Sequence, residues 1–383
     1  MRLLIAGHRR DLILAAARVG HSVVLVDPSP PRRSVRHLLA GFHPCDPSGA
    51  ADLAGSLLGP FDLVIASGER WVLPAAQLRE RLGVSGPTVE QELPFRDKLA
   101  MKRTFQRLGL AHARYIPWPG EVGWEEFARD VGFPLALKPR MGVGGAGFVR
   151  LASPEMVPGA LSASLDRFPE GLLLEEWMTG PECSVETFLL EGTAVLASVT
   201  EYVSYGRINL VSPTLPDALD RQLLLANDRA IEGLGKRAGM THLEFFLTPA
   251  GPVVSEIAGR PPGGYLMDLI ALAWGLDPWA LFLDGLTGSW SAASPRRRTV
   301  AGNVVIYPPG GTVRGIHGVD AVRALPGLVR FSLRLRPGEV VAPRRSLGQT
   351  RGVIVVTGPD AGSVRRTLLE ADRLLRIEME SSS

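Results

Sequence analysis

Two apolar periodicities alternate along the chain. Residues 2–6 and Ser22 to Val26 are short continuous apolar runs, the pattern of strands buried on both faces. Between them, Asp11 to Arg18 repeats at helical spacing, and Gly20 is placed to end that helix. A third apolar run, Leu63 to Ala66, precedes a helical stretch from Leu73 to Leu82 that stops at Gly83. Strand, helix, strand in that order predicts a parallel, doubly wound α/β sheet at the start of the chain. Its first turn reads Gly7-His8-Arg9-Arg10, without the G-x-G-x-x-G of a dinucleotide site, so NAD is not predicted there.

The pattern changes at Leu93-Pro94-Phe95-Arg96-Asp97-Lys98. It predicts a helix from there to Leu108, an extended stretch from Tyr115 to Pro119, a helix from Glu125 to Val131 and a strand from Leu135 to Lys138. Further strands follow at Leu172 to Glu175 and at Ser184 to Leu190 with Ala194 to Thr200, the last two joined by a Glu191-Gly192 turn. A helix from Arg221 to Ala238, ended by Gly239, leads to a second hairpin, Leu243 to Leu247 with Val253 to Ile257, around Pro249-Ala250-Gly251. Leu266 to Leu286 is apolar but broken by Asp268, Asp277, Pro278 and Asp284; it reads as buried helix rather than a membrane span. Short β-rich runs (Val304 to Tyr307, Val353 to Val356) and an amphipathic helix from Ala361 to Leu375 follow an exposed Ser294-Pro295-Arg296-Arg297-Arg298 connector. The tail Ser381-Ser382-Ser383 reads as disordered.

The 383 residues suggest two to three domains. Forty-two basic residues against thirty-nine acidic ones leave a net charge of +3, too small an excess to indicate nucleic acid, and compatible with an anionic ligand. Cys45 and Cys183 make neither a disulfide framework nor a zinc site alone and read as free thiols of a reducing cytoplasm. The opening apolar run is too short for a signal peptide.

Chemistry concentrates in three places. Lys138 ends a strand and precedes Gly142, Gly144, Gly145 and Gly147, a loop whose backbone N–H groups can wrap phosphate oxygens beside a compact positive charge; the same residues also suit a flexible surface hairpin. Glu244 and Glu256 lie on the two strands of one hairpin, near each other across the ladder. Their like charges repel unless a cation joins them, and oxygen ligands point to magnesium or manganese; solvated surface glutamates are the alternative. Arg260, framed by Gly259 and Pro261, suits a carboxylate or phosphate, or faces water in a turn. His242, two residues before Glu244, reads as a buried, hydrogen-bonded histidine.

Taken in order, Asp97-Lys98, Lys138 with its glycine loop, Glu175-Glu176-Trp177-Met178-Thr179-Gly180-Pro181-Glu182, then Glu244, Glu256 and Arg260 resemble the ATP-grasp superfamily, and within it the carboxylate–amine ligases that make dipeptides and related amides. The resemblance runs to about residue 290. It implies an N-terminal α/β domain (1–95), an ATP-grasp domain (96–290) with a small lid at about 112–178 and a central antiparallel sheet, and a C-terminal β-rich domain (291–383) completing the substrate site.

The resemblance also implies roles. Lys98 would touch the α-phosphate of ATP, Lys138 the phosphates from the lid, and the glycine loop the β- and γ-phosphates. Glu175, Glu176 and Met178 would form the adenine-side hinge, partly through backbone, and Glu182 would hold the ribose. Glu244 and Glu256 would ligate Mg2+ (or Mn2+), and Arg260 would meet the substrate carboxylate or its acyl phosphate. The expected partners are a small carboxylate and an amine, with amino acids favoured by Arg260; no nucleic acid or membrane is expected, and a cytoplasmic homodimer is implied. Where many members carry an asparagine two residues after the second metal glutamate, this chain has Ala258. A bicarbonate-using carboxylase and a non-catalytic nucleotide-binding protein are the competing readings.

Overall fold

The opening apolar runs form strands Arg2–Ala6, Ser22–Asp27 and Leu63–Ala66, joined by a fourth, Leu39–Pro44, that has no counterpart in the apolar pattern. That strand is an edge, half-exposed along its length, and carries Gly41 and Pro44 in place of an apolar run. The order is Leu39–Pro44, Ser22–Asp27, Arg2–Ala6, Leu63–Ala66, and every pair is parallel. Strand order reverses at Arg2–Ala6, so Gly7 and Ser67 flank a topological switch point, where sheets of this kind open a crevice for ligands. Gly7 is required there: its φ is +95°, and a Cβ would lie 2.6 Å from the Trp71 ring. The structure is a computed structural model and describes residues 1–213, 215–289, 295–344 and 348–380. The expected disordered tail at 381–383, Ser294 of the connector and the expected boundary at 291 lie outside the described residues.

A small antiparallel sheet follows, ordered Tyr115–Trp118, Leu172–Glu176, Leu135–Pro139, Val149–Leu151, with helices Trp124–Val131 and Val157–Arg167 closing its core over Phe127, Leu137, Leu161 and Leu174. Its inner strands pair Lys138 with Leu173 and Ala136 with Glu175, which sets Lys138 and Glu175 diagonally across the ladder.

The large sheet has eight strands, all antiparallel: Gly251–Ala258, Gly239–Thr248, Glu182–Leu190, Thr193–Ser204, Ile208–Val211, Val300–Ile306, Gly352–Gly358, Leu328–Leu333. Strands from the C-terminal segment thus extend the central sheet. Ile208–Val211 is the seam, pairing with Thr193–Ser204 on one side and Val300–Ile306 on the other. Gly302 lets the seam close, because a Cβ would stand 2.5 Å from Leu368 and 2.8 Å from the Asn209 carbonyl.

Three helices differ from the sequence expectation, each for a local reason. The stretch from Leu93 to Leu108 is not continuous: Asp97 turns extended and caps a separate helix, Lys98–Arg107, accepting from Leu99 N at 2.9 Å. The helix expected over 221–238 spans Asp217–Gly233, because Gly235 takes φ +67°, and Gly239 instead opens a strand. The apolar run from Leu266 to Leu286 is two helices, Leu266–Trp274 and Pro278–Thr287, bent by 96° where Asp277 caps the second. Among the described residues no single helix is long and apolar enough to cross a membrane.

Pro278–Thr287 packs against the N-terminal helix Arg10–Arg18, and both helices share one core with it, with Leu12, Ile13, Leu269, Leu281 and Phe282. Asp277 therefore carries two loads: it accepts from Trp279 N and Ala280 N at 3.0 and 3.1 Å, and it pairs with Arg18 at 2.5 Å. Replacing Asp277 by Ala is expected to lower stability by about 1–2 kcal/mol and by Asn to retain most of it, as read from urea unfolding midpoints.

Candidate active site

A cavity of about 1040 Å3 opens between the N-terminal switch point, the small sheet and the Gly239–Ala258 hairpin. Its centre is built from lysines and carboxylates delivered by three elements. Helix Lys98–Arg107 presents Lys98 and, one turn on, Lys102. Glu175 Oε2 lies 2.9 Å from Lys138 Nζ, and Glu175 Oε1 lies 3.4 Å from Lys102 Nζ. Lys138 Nζ also stands 3.9 Å from Glu256 Oε1, and Lys98 Nζ stands 3.4 Å from Glu256 Oε2. Burial alone would raise the Glu175 carboxyl; Lys102 and Lys138 outweigh it and hold the group down at about 2. Burial lowers Lys102, whose ammonium is fully enclosed, while Lys138 is driven upward against burial by Glu175 and Glu256.

Glu175 and Glu176, the carboxylates expected at an adenine-side hinge, are both committed to protein partners. Glu175 is spent on two lysines, and Glu176 is held by Arg114, 2.8 Å from its Nε and accepting from its backbone N at 2.9 Å. Trp177, Met178, Thr179 and Gly180, which follow them, also line the cavity. Glu182 opens its strand partly buried and near Glu244; burial first and that charge second push its carboxyl up to about 7.

The glycine loop links Leu135–Pro139 to Val149–Leu151. Gly144, Gly145 and Gly147 take φ of +58°, +76° and +80°. Gly142, Gly144 and Gly145 line the cavity, whereas Gly147 turns away and packs: a Cβ there would meet the Phe168 ring at 2.5 Å. The loop is tethered at its start, since Arg96 Nη2 donates to Met141 O at 2.9 Å and Lys98 Nζ to Gly142 O at 3.3 Å. Arg140 clamps Asp97 in a two-point contact, fixing the loop to the helix cap.

Glu244 and Glu256 come together through a β-bulge. Leu243 pairs with Ile257 and Phe245 with Val254, so Glu244 alone opposes Ser255 and Glu256. Behind Glu244 lies a buried relay: its Oε1 accepts from Tyr202 Oη at 3.1 Å and contacts His242 Nε2 at 3.3 Å, and His242 Nδ1 contacts Glu186 Oε1 at 2.8 Å. Glu186 also accepts from Ser184 Oγ and Thr200 Oγ1, at 2.6 and 2.5 Å. Burial would lower His242, but the two carboxylates raise it to about 9, so it is an imidazolium at neutral pH. Among the described residues no group of three or more His, Cys, Asp or Glu is arranged to hold a metal. Two converging carboxylates fit a cation that completes its shell with phosphate oxygens and water, which is how magnesium binds, and do not fit an all-protein cage.

Arg260 reaches the cavity from beyond the hairpin. Its Nε pairs with Glu69 Oε2 at 2.6 Å and its Nη1 donates to Pro261 O at 2.8 Å; Glu69 Oε1 pairs with Arg96 at 2.8 Å. The expected site residues Lys98, Lys138, Glu182, Glu244, Glu256 and Arg260 therefore surround one space. Lys102, Glu186, Arg96 and Glu69 are additions of the structure. Lys102 had a signal, the four-residue spacing from Lys98 on a helix, and Glu186 another, the lone acid alternating with Ser184 in an apolar strand. The pairing of Glu69 with Arg260, 191 residues away, had none.

With this geometry in view, comparisons with known proteins converge. Residues 304–380 match the family described as L-amino acid ligase C-terminal domain 2. The L-arginine-specific L-amino acid ligase of Bacillus subtilis is 22% identical over 303 residues, covering 76% of this chain and 73% of that protein. The crystal structure of L-amino acid ligase from Bacillus licheniformis superposes with a TM-score of 0.81 at 20% identity over 99% of both chains. Carboxyaminoimidazole ribonucleotide synthase from Aspergillus clavatus, complexed with ATP, gives 0.78 at 19% identity over 97% of this chain and 98% of that one. The fold is that of the ATP-grasp superfamily. Within that fold, the matched family and the two Bacillus relatives are L-amino acid ligases, to which this chain is similar.

Glu175 supplies a test of the buried cluster. Its folded-state carboxyl lies below its ordinary value of 4.5, so its stabilisation is complete above that value and is lost as pH falls towards about 2. Glu175→Gln is expected to cost about 3–5 kcal/mol at neutral pH, because two buried lysines lose their partner. It should also flatten the acid limb of stability, measured as urea midpoints at neutral pH and between pH 4.5 and 2; a limb as steep as wild type would remove Glu175 from that role.

Proposed function

We propose that this chain joins a carboxylic acid to an amine at the expense of ATP, with amino acids as substrates, in dipeptide or specialised-metabolite biosynthesis. One observation carries the reading: Lys98, Lys138 and Arg260 meet Glu244 and Glu256 around a single cavity beneath a glycine loop. A carboxylate oxygen attacks the γ-phosphorus, giving an acyl phosphate and ADP; the amine nitrogen then attacks the acyl carbon, and phosphate and a proton leave.

Lys98 and Lys138 bind the phosphates. Their contacts with Glu256, at 3.4 and 3.9 Å, are looser than the 2.9 Å bond from Lys138 to Glu175, so phosphate oxygens can replace Glu256 while Glu175 keeps its lysine. Gly142, Gly144 and Gly145 close over the β- and γ-phosphates, Glu175 to Met178 offer backbone to the adenine, and Glu182 holds the ribose hydroxyls. Glu244 and Glu256 would hold magnesium or manganese, which supplies charge neutralisation on the transferring phosphoryl group when bound. With Ala258 following Glu256, a second ion would have fewer protein ligands. Arg260, steadied by Glu69, orients the carboxylate and its acyl phosphate. His242 and Tyr202 hold Glu244 in place.

A carboxylase using bicarbonate is the second reading, favoured by the likeness to the Aspergillus clavatus enzyme. Phosphate and ADP release, screened over amino acids and small carboxylic acids with and without bicarbonate, separates the two. A product mass equal to acid plus amine minus water is expected; turnover that needs bicarbonate and no amine would replace this reading with the other. Glu256→Gln is expected to abolish ADP release with an unchanged circular dichroism spectrum, and wild-type turnover in that variant would sink the metal assignment.

A further inference from the structure

The ligase reading employs Arg260 and leaves a second guanidinium at the same end of the cavity without a task. Arg9 follows the first strand at the switch point, and its Nε donates to Ser67 O at 3.1 Å, which anchors one edge of its plane. Arg9, Arg96 and Arg260 all line this corner. Two carboxylates reach it, and both are spent. Glu69 is divided between Arg260 and Arg96, and Asp27 accepts from the backbone N–H groups of His8 and Ser29, at 2.8 and 2.9 Å. Among the described residues no carboxylate is ion-paired with Arg9.

Three guanidinium groups thus face two carboxylates here, and only Glu69 is ion-paired with any of them. Burial, and next the charge of Arg260, lower the Arg9 pKa, and the charge of Asp11, which acts the other way, does not outweigh them. Leaving a guanidinium buried and unpaired is costly, and a bound anion relieves it. Arg260 commits Nε and Nη1 to Glu69 and Pro261, which leaves its Nη2 without a hydrogen bond to either, and Arg9 lines the same cavity.

We propose that Arg9, beside Arg260, forms an anion subsite at the switch point that takes a carboxylate of the substrate which does not react, while Arg260 keeps the reacting one. The proposal rests on the ligase reading and narrows its substrates. Amide formation consumes one carboxylate; an amino-acid amine, or a dicarboxylic acid, leaves another intact. A planar carboxylate matches a guanidinium edge. The free α-carboxylate of the amine substrate and the second carboxylate of a diacid are the two sources of this one chemistry.

The test compares wild type, Arg9→Met and Arg9→Lys. Each is titrated by calorimetry, in the presence of ADP and magnesium, with the proteinogenic amino acids and the four- and five-carbon dicarboxylic acids, each against its carboxamide counterpart, and steady-state constants are measured for every pair that turns over. Arg9→Met is expected to weaken binding, and raise KM, for the carboxylate-bearing substrate by about 10- to 100-fold, with the KM for ATP unchanged. Arg9→Lys should recover part of the loss, and the carboxamide should bind wild type and Arg9→Met equally weakly. Sensitivity to amidation of the amino acid assigns the subsite to the amine substrate, and sensitivity to amidation of the diacid to the activated acid. Equal affinity of wild type and Arg9→Met for every compound, or equal losses for acid and carboxamide, would overturn the subsite, as would no binding of any of them to wild type. Turnover that fails while calorimetry still shows the carboxylate preference would overturn the ligase reading and leave the subsite standing.

Discussion

A chain of alternating charges, Lys102–Glu175–Lys138–Glu256–Lys98, runs through the middle of the molecule and joins a helix, the small sheet and the central hairpin. Removing such charges from water is expensive, and the expense is recovered only where partners stand at bonding distance. The cluster therefore demands that three separately folded pieces meet in one arrangement. Asp97 makes the demand achievable by interrupting the stretch from Leu93, so that a new helix begins with Lys98 in its first turn, while Arg140 fastens that cap to the glycine loop.

Away from this chain the cavity is polarised. One end is acidic, with Glu182, Glu244 and Glu256, and the buried pair of Glu186 and His242 supports Glu244 from behind. The other is cationic, with Arg9, Arg96 and Arg260 gathered at the switch point of the parallel sheet. On the proposed reading, a cation-bound polyphosphate and a carboxylate, with opposite electrostatic needs, would be told apart by that polarity. The charged imidazolium of His242 also keeps Glu186 and Glu244 from opposing each other as two bare anions in a buried place.

Much of this was readable along the chain wherever partners are close in sequence. The Glu244–Glu256 hairpin follows from apolar alternation around Pro249-Ala250-Gly251, and the phosphate-loop candidate from glycines beside Lys138. What misled were positions where one residue redirects the backbone. Asp97, Gly235 and Asp277 each end or restart a helix inside a stretch whose periodicity alone runs on. The edge strand Leu39–Pro44 escaped because a half-exposed strand has no apolar run to reveal it.

The sequence by itself determined the order of the chemistry: which strand ends in a lysine, which loop is glycine-rich, which hairpin carries two acids. Periodicity and turn residues act over a few positions, and those features need nothing more. Only the tertiary structure decided who pairs with whom. It turned Glu175 towards two lysines, set Glu69 between Arg96 and Arg260, and left Arg9 facing a cavity without a carboxylate of its own. Those outcomes rest on distance and desolvation between residues separated by tens to nearly two hundred positions, and no local pattern encodes them.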